Sequence, residues 1–448
     1  MSTPSDLIVL PEDPAAVGRQ LGAIWRDRLP GILERFYATM ASAGLDAPFL
    51  IREAAAWESR MRDFAPHMLA EMEATGAAAG VDADRFRAYC ALRYCRPERI
   101  YKASEWLEPL EECTSFLAAG RACGLRANLL HKNRDAAMVP QAVTIRPIAG
   151  KQRVLGAGDV GDLGLCHALN GAGLAAMTNT GSAIPAPPRR AICNTLVLRH
   201  LAEDCTTCEQ ALERLGEIAR RRLSSNGING CIWLFADRGV GLIVEETPGK
   251  VAWRFVENGA DARQNDFRLP EMGDPIPPTR RYATALARLR ELAGKLRPED
   301  FNALGRSALN YPEAICHDST NSATTSVLPH DPSAAPYWEM AVGHPNHTFY
   351  LPMTPWGPGL PAPLVDGSFW ELSARLLPRN RTGDDPPLDF ASREQRFREG
   401  FLRASTAEGM AAATAEAVRE ATETLRSPDP FRDRASGARG RQSLASEQ

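Results

Sequence analysis

No apolar run in this 448-residue sequence comes near the length of a membrane span, which takes about 20 residues as a helix. The start, Met1-Ser2-Thr3-Pro4-Ser5-Asp6, has no basic n-region and no long apolar region after it, so a secretory signal is not expected. Charge of one sign is missing too. Lys and Arg number 52 and Asp and Glu 55, a net charge of −3. That balance gives no general pull toward nucleic acid or an anionic membrane surface. Ten cysteines are too few for a disulfide framework in a chain this long. Without an export signal they are expected reduced, in a cytoplasm. The sequence has no H-E-x-x-H, no P-loop and no G-x-S-x-G. The usual signatures of zinc peptidases, P-loop nucleotide enzymes and serine-elbow hydrolases are therefore absent. No internal repeat is visible.

Three short motifs carry little. Gly156-Ala157-Gly158-Asp159-Val160-Gly161 has dinucleotide-type glycine spacing, but a further glycine-rich hairpin follows where a helix should. A flexible turn is expected. Cys205 and Cys208 have C-x-x-C spacing without a second pair, and Thr206 or Thr207 makes a natural helix N-cap. His344 and His347 lack an evident third ligand and read as a loop beside a terminal strand. No metal and no cofactor is expected.

The chain changes texture near Cys113. Residues 13–99 look mainly helical, with Trp57, Met61, Phe64, Met68, Leu69 and Met72 on one stripe from Glu53 to Thr75. After Cys113 come strands and tight turns. These include Arg126 to Asp135, an Asn170-Gly171 hairpin leading to Met177, a hairpin from Cys231 to Glu245, and Val251 to Val256. Helices are expected at Thr195 to Leu201, Thr207 to Arg222 and Arg280 to Leu296, and a last strand pair at Thr324 to Leu328 and Tyr337 to Gly343. The order is that of an α+β fold. The expected division is a helical segment 1–112, a core 113–378, a linker 379–391, a C-terminal helix 392–426 and a disordered tail 427–448.

Cys113 heads the apolar run Cys113-Thr114-Ser115-Phe116-Leu117, where a helical lead-in gives way to sheet. A lone cysteine is usually a small buried hydrophobe. Its place at this junction, with Asp135, Asn179 and Asn265 downstream, makes it a candidate nucleophile.

At these residues the chain resembles the isopenicillin-N acyltransferase family, the self-cleaving cysteine branch of the N-terminal-nucleophile hydrolases. The resemblance runs to about Pro352. It rests on Cys113-Thr114-Ser115, Asn133-Arg134-Asp135, Asn170-Gly171-Ala172-Gly173-Leu174, Asn229, the Ala236-Asp237 to Val244-Glu245 hairpin, and Gln264-Asn265-Asp266-Phe267. Ile315-Cys316-His317, Thr324-Thr325-Ser326-Val327 and Val342-Gly343-His344-Pro345 complete it. It implies a four-layer αββα sandwich and self-cleavage between Glu112 and Cys113. It implies Cys113 as nucleophile and, through its new α-amine, base. Asp135 would hold that amine and orient the thiol, and Asn179 and Asn265 would form the oxyanion site. Two positions depart from the family pattern. Glu112 stands where glycine is common, and His317 where arginine is common.

The chemistry is self-consistent. An α-amine titrates near ~7.7–8, suited to accept a proton at neutral pH. A thiol titrates near ~8.5 and is a strong nucleophile. One residue thus supplies both groups. The expected activity is cleavage of a small-molecule amide through an acyl-Cys113 thioester. Alternatives are N-acyl transfer from an acyl thioester such as acyl-coenzyme A, or an uncleaved, non-catalytic binding module. A homo-oligomer is left open, and no nucleic-acid or membrane partner is expected.

Overall fold

The computed structural model describes residues 7–94, 113–136, 138–181, 192–224, 230–247, 250–273, 277–307, 314–376 and 390–427. A short strand β1 (Leu7–Ile8) leads into five helices: α1 (Pro14–Trp25), α2 (Leu29–Ser42), α3 (Ala47–Phe64), α4 (Pro66–Ala79) and α5 (Ala83–Leu92). Asp13, Asp46 and Asp82 cap α1, α3 and α5, each accepting a main-chain N–H of the first turn. The stripe from Glu53 to Thr75 is two helices, not one. Pro66 pushes Ala65 out of helical geometry and starts α4 afresh. Gly18 and Gly22, one turn apart, let α1 lie directly on the α4 backbone. A Cβ at either would meet the Glu71 or Thr75 carbonyl oxygen at 2.2 or 2.3 Å.

Two antiparallel sheets follow. The strands are β2 (Thr114–Ala118), β3 (Ala127–Asp135), β4 (Gln141–Arg146), β5 (Val154–Asp159), β6 (His167–Asn170), β7 (Ala175–Thr180), β8 (Cys231–Ala236), β9 (Gly241–Thr247), β10 (Lys250–Val256), β11 (Ala260–Arg263), β12 (Thr320–Pro329), β13 (Tyr337–Ala341) and β14 (Tyr350–Met353). One sheet runs β10-β9-β8-β7-β6-β5-β4 and the other β11-β2-β3-β12-β13-β14. β1 pairs separately with β15 (Leu360–Pro361). The two sheets meet where β2 and β3 lie against β8. Helices α6 (Asn194–Asp204) and α7 (Cys208–Arg220) pack on strands β5 to β10 of the seven-stranded sheet. Helices α8 (Arg280–Glu291) and α9 (Pro298–Gly305) pack on β11, β3 and β12 of the six-stranded sheet. Short helices α10 (Ala362–Val365) and α11 (Ser368–Ala374) precede α12 (Phe390–Arg403) and α13 (Ala407–Arg426). The expected mixture of helices with antiparallel strands is therefore what the chain forms.

Several boundaries differ from expectation. The helix from Arg280 ends at Glu291, and Gly294 turns the chain with φ +84° before the unforeseen α9. The pair β12–β13 is not last, because β14 extends the same sheet. The helix expected over 392–426 starts at Phe390 and divides after Arg403, where Thr406 caps α13 by accepting from Gly409 N. Gly156 and Gly158 lie within β5, not in a turn. Thr207 caps α7 as expected. His344 and His347 stack at 4.5 Å beside a short 3-10 turn. Among the described residues no cluster of His, Cys, Asp and Glu could hold a metal, and no helix is long and apolar enough to cross a membrane. Most of the linker and tail expected at 379–391 and 427–448 lies outside the described residues.

One buried acid on the outer face of the seven-stranded sheet should give a pH signature. Glu246 of β9 accepts from Trp233 Nε1 at 2.8 Å and from Ser224 Oγ. Burial outweighs both donors and raises its pKa to about 7. The folded state then binds a proton that the unfolded state has already released above about pH 4.5. Stability should fall as pH rises from there to about 7 and then level off. The size is about 3 kcal/mol at ~1.4 kcal/mol per unit. Glu246→Gln should lose this slope, read as the difference between wild-type and variant urea midpoints at pH 5 and pH 8.

Candidate active site around Cys113

Alternation along β2 sorts its side chains into two sets. Phe116 stacks on His131 and meets the edge of Phe301 in α9, so Thr114, Phe116 and Ala118 face the helices. Ser115 Oγ donates to Asn179 Oδ1 of β7 at 2.8 Å, so Cys113, Ser115 and Leu117 face the other sheet. Cys113 is buried just before β2, and the alternation carried on from Ser115 directs it between the sheets.

Its neighbours follow from register. β2 pairs with β3 with Thr114 opposite Asn133, and with β11 with Ser115 opposite Arg263. Continued toward Cys113, these ladders set Arg134 on one side of it and Asn265 on the other. Cys113 Sγ lies 4.0 Å from the main-chain oxygen of Asp135. The Asp135 carboxylate turns to the helical side. It accepts from Thr320 Oγ1 at 2.5 Å and lies 3.0 Å from His317 Nε2 and 3.4 Å from Arg281 Nη1. His317, standing where the family pattern has arginine, thus reaches Asp135, and the arginine at this carboxylate comes from α8.

Asn179 and Asn265 are both buried close to this strand end. Asn179 Nδ2 faces the carbonyls of Gln264 at 3.0 Å and Arg263 at 3.4 Å. Asn265 Nδ2 donates to Thr180 O at 2.8 Å. These bonds lace the end of β7 to the segment after β11, immediately beside the head of β2. Glu112 and Asn229 lie outside the described residues.

The inner face of β3 adds cations that the sequence reading did not single out. Arg134 Nη1 bonds Asp159 Oδ1 of β5 at 2.5 Å. Lys132 is 3% exposed and donates to Thr178 O. Burying such a side chain is costly unless its polar end is bonded. His167 on β6 meets Ser322 Oγ at 3.3 Å, and burial with Lys132 and Arg134 nearby pushes its pKa well down, so it is neutral. His131, on the opposite face, is pushed by burial to about 3 and is likewise neutral, bonded to Thr325 and Asn133. The signal for these residues was present in His131-Lys132-Asn133-Arg134-Asp135. An unbroken polar run in a fully buried strand gives both faces chemistry.

No protein-family model and no curated protein matches the chain. Among solved structures it is similar to a Caenorhabditis elegans N-acylethanolamine-hydrolyzing acid amidase ortholog. There the identity is 14% and the TM-score 0.35, covering 49% of this chain and 94% of that one. It is also similar to two variants of a conjugated bile acid hydrolase from Clostridium perfringens. Identities are 13% and 15%, with TM-scores of 0.31, covering 50% of this chain and 88% of each. Likeness at this level transfers neither fold nor activity, and the site is read from its own geometry.

Proposed function

We propose that the chain is a cysteine amidohydrolase of the N-terminal-nucleophile kind, acting on a small-molecule amide. The observation that carries this is the place of Cys113. It follows a helical lead-in, heads an interior strand and points between two sheets, with the Asp135 main-chain oxygen at 4.0 Å, Arg134 and Asn265 on either side by register, and Lys132 opposite Ser115. The packing of α6 and α7, two sheets, and α8 and α9 supports reading the core as an αββα sandwich.

In the proposed maturation, the Cys113 thiol attacks the Glu112 carbonyl carbon. The peptide C–N bond breaks, the Cys113 nitrogen takes the proton and leaves as an amine, and a thioester joins Glu112 to Sγ. Water opens the thioester, giving the Glu112 carboxylate and the free thiol. In each later turnover the α-amine accepts the thiol proton as Sγ attacks the substrate amide. The amine product leaves with a proton, and water releases the acid from acyl-Cys113. Asp135, near the strand end, is proposed to favour the protonated amine electrostatically. Lys132 and Arg134 add positive charge where the thiolate and tetrahedral oxyanion develop. Amides of Asn179 and Asn265 hold the strand ends around that space and, on shifting from their carbonyl partners, supply neutral donors.

The test is a panel of small amides with rapid acid quench and peptide mass analysis. The expected result is the acyl mass on the peptide that begins with Cys113, and free acid as product. Added amine that diverts the acyl group would assign transfer over hydrolysis. Turnover without acyl-Cys113, or none with any amide, would oppose the proposal.

A further inference from the structure

Residues just after α5 reach the cations beside this site. Arg93, which follows α5, has a side chain only 7% exposed, and its Nη2 bonds Asp159 Oδ2. The same carboxylate holds Arg134 through Nη1 to Oδ1 at 2.5 Å and Nη2 to Oδ2 at 3.2 Å. Arg93 Nη1 also lies 3.5 Å from Asp162 Oδ2, which accepts from Tyr94 OH at 2.6 Å. The Arg93 guanidinium is fixed between rings, 4.9 Å from the Tyr89 centroid and 4.6 Å from that of Tyr94. An aspartate shared by two arginines is only half spent on each. Arg134 therefore keeps net positive character toward Cys113, which stands opposite it across the β2–β3 ladder.

We propose that Arg93 is a positioning residue for the Cys113 site: by sharing Asp159 it holds the Arg134 guanidinium, with its charge, against the thiol. This rests on Cys113 being the reactive thiol of the proposed amidohydrolase. It goes beyond that reading in making the leading segment part of the working site and not only a piece to be cut away. The titratable and charged groups around Arg134 and Arg93 are Tyr94 from the leading segment, Lys132 on β3, Asp159 on β5, Asp162 after it, Cys166 before β6, His167 on β6 and Cys113. Burial with Lys132 and Arg134 nearby pushes the His167 pKa well down, so the balance is set by Arg93, Arg134, Lys132, Asp159 and Asp162.

The experiment measures the iodoacetamide rate at Cys113 from pH 5 to pH 10, read on the Cys113 peptide by mass analysis in the full chain. Thermal melting is recorded beside it. Arg93→Gln should raise the pH midpoint at Cys113 by about one unit, the size of a lost neighbouring charge, and slow alkylation at pH 7 about tenfold. Arg93→Lys keeps charge but cannot lie flat on two rings and bridge two carboxylates. It should shift the midpoint less, in the same direction, and it serves as the test if Arg93→Gln does not melt cooperatively. The double variant Arg93→Gln, Arg134→Gln should move no further than Arg134→Gln alone, because Arg93 acts through Arg134. A folded Arg93 variant with the wild-type midpoint, or shifts that add in the double variant, would overturn the proposal. Cleavage before Cys113 is scored on the same samples by intact mass. Its absence would count against the amidohydrolase reading while leaving the alkylation result for Arg93 intact.

Discussion

Cys113→Ala should abolish amide turnover, by about 10⁴-fold or more, on the scale seen when a nucleophile is removed. The chain should still fold. Cys113 is small, sits at the head of its strand, and among the described residues its polar contact is a long 4.0 Å approach to a carbonyl. Losing one sulfur there leaves a small void, about 1 kcal/mol at most. Cys113→Ser separates nucleophilicity from size, since the hydroxyl fits but attacks poorly without thiol acidity. The check is kcat/KM on the best amide of the panel, with melting curves of all three proteins. A Cys113→Ala protein that keeps a tenth of the activity would remove Cys113 from the mechanism, whatever its burial.

The largest stability effect should come from Glu71→Leu. Glu71, on α4, is 1% exposed and bonds Arg146 of β4 at 3.1 Å and Arg199 of α6 at 2.5 Å. Arg199 also holds Glu203 at 2.7 Å, and Glu203 reaches His67 of α4 at 2.7 Å. Burial pushes the Glu71 pKa up, but Arg199 and Arg146 pull it further down, and the net shift is downward. Its carboxylate therefore contributes stability that is present above the ordinary glutamate range and lost as pH falls through the lowered value. Removing it leaves two guanidinium groups facing each other out of water. Breaking a buried ion pair this way costs about 3–5 kcal/mol. Denaturant midpoints at pH 7 measure this. A loss below about 1 kcal/mol would mean that the arginines find other partners. The network also ties the leading helices to the sheet and to α6. Together with Trp25 Nε1 donating to Val365 O at 2.9 Å, it should keep both fragments together if the proposed cleavage takes place.

Much of this architecture could be read along the chain because local signals agreed with the tertiary result. The Asn170-Gly171 turn, the Cys231 to Glu245 hairpin and the α6–α7 helices carry their own periodicity and caps. The misread boundaries have local causes as well. Pro66 and Gly294 break helices whose apolar spacing continues past them, and β14 is a short strand recognisable only by its partner β13. At the site, Cys113 and Asp135 stood out as residue types at a change of texture. Which way each faces did not. Alternation sends Cys113 between the sheets while the Asp135 carboxylate goes to Thr320, His317 and Arg281, residues far off in sequence. Arg93, Asp159 and Lys132 were equally hidden, because a buried charge declares itself only by what surrounds it.

The central claim is that the bond before Cys113 is cut by Cys113 itself. The direct measurement is the denatured intact mass of the purified protein beside Cys113→Ala. The account predicts two wild-type fragments, residues 1–112 and 113–448, and one chain of 48.8 kDa in the variant. A single uncleaved wild-type chain would contradict it: no free α-amine would exist to serve as base, and the binding-module reading would take its place.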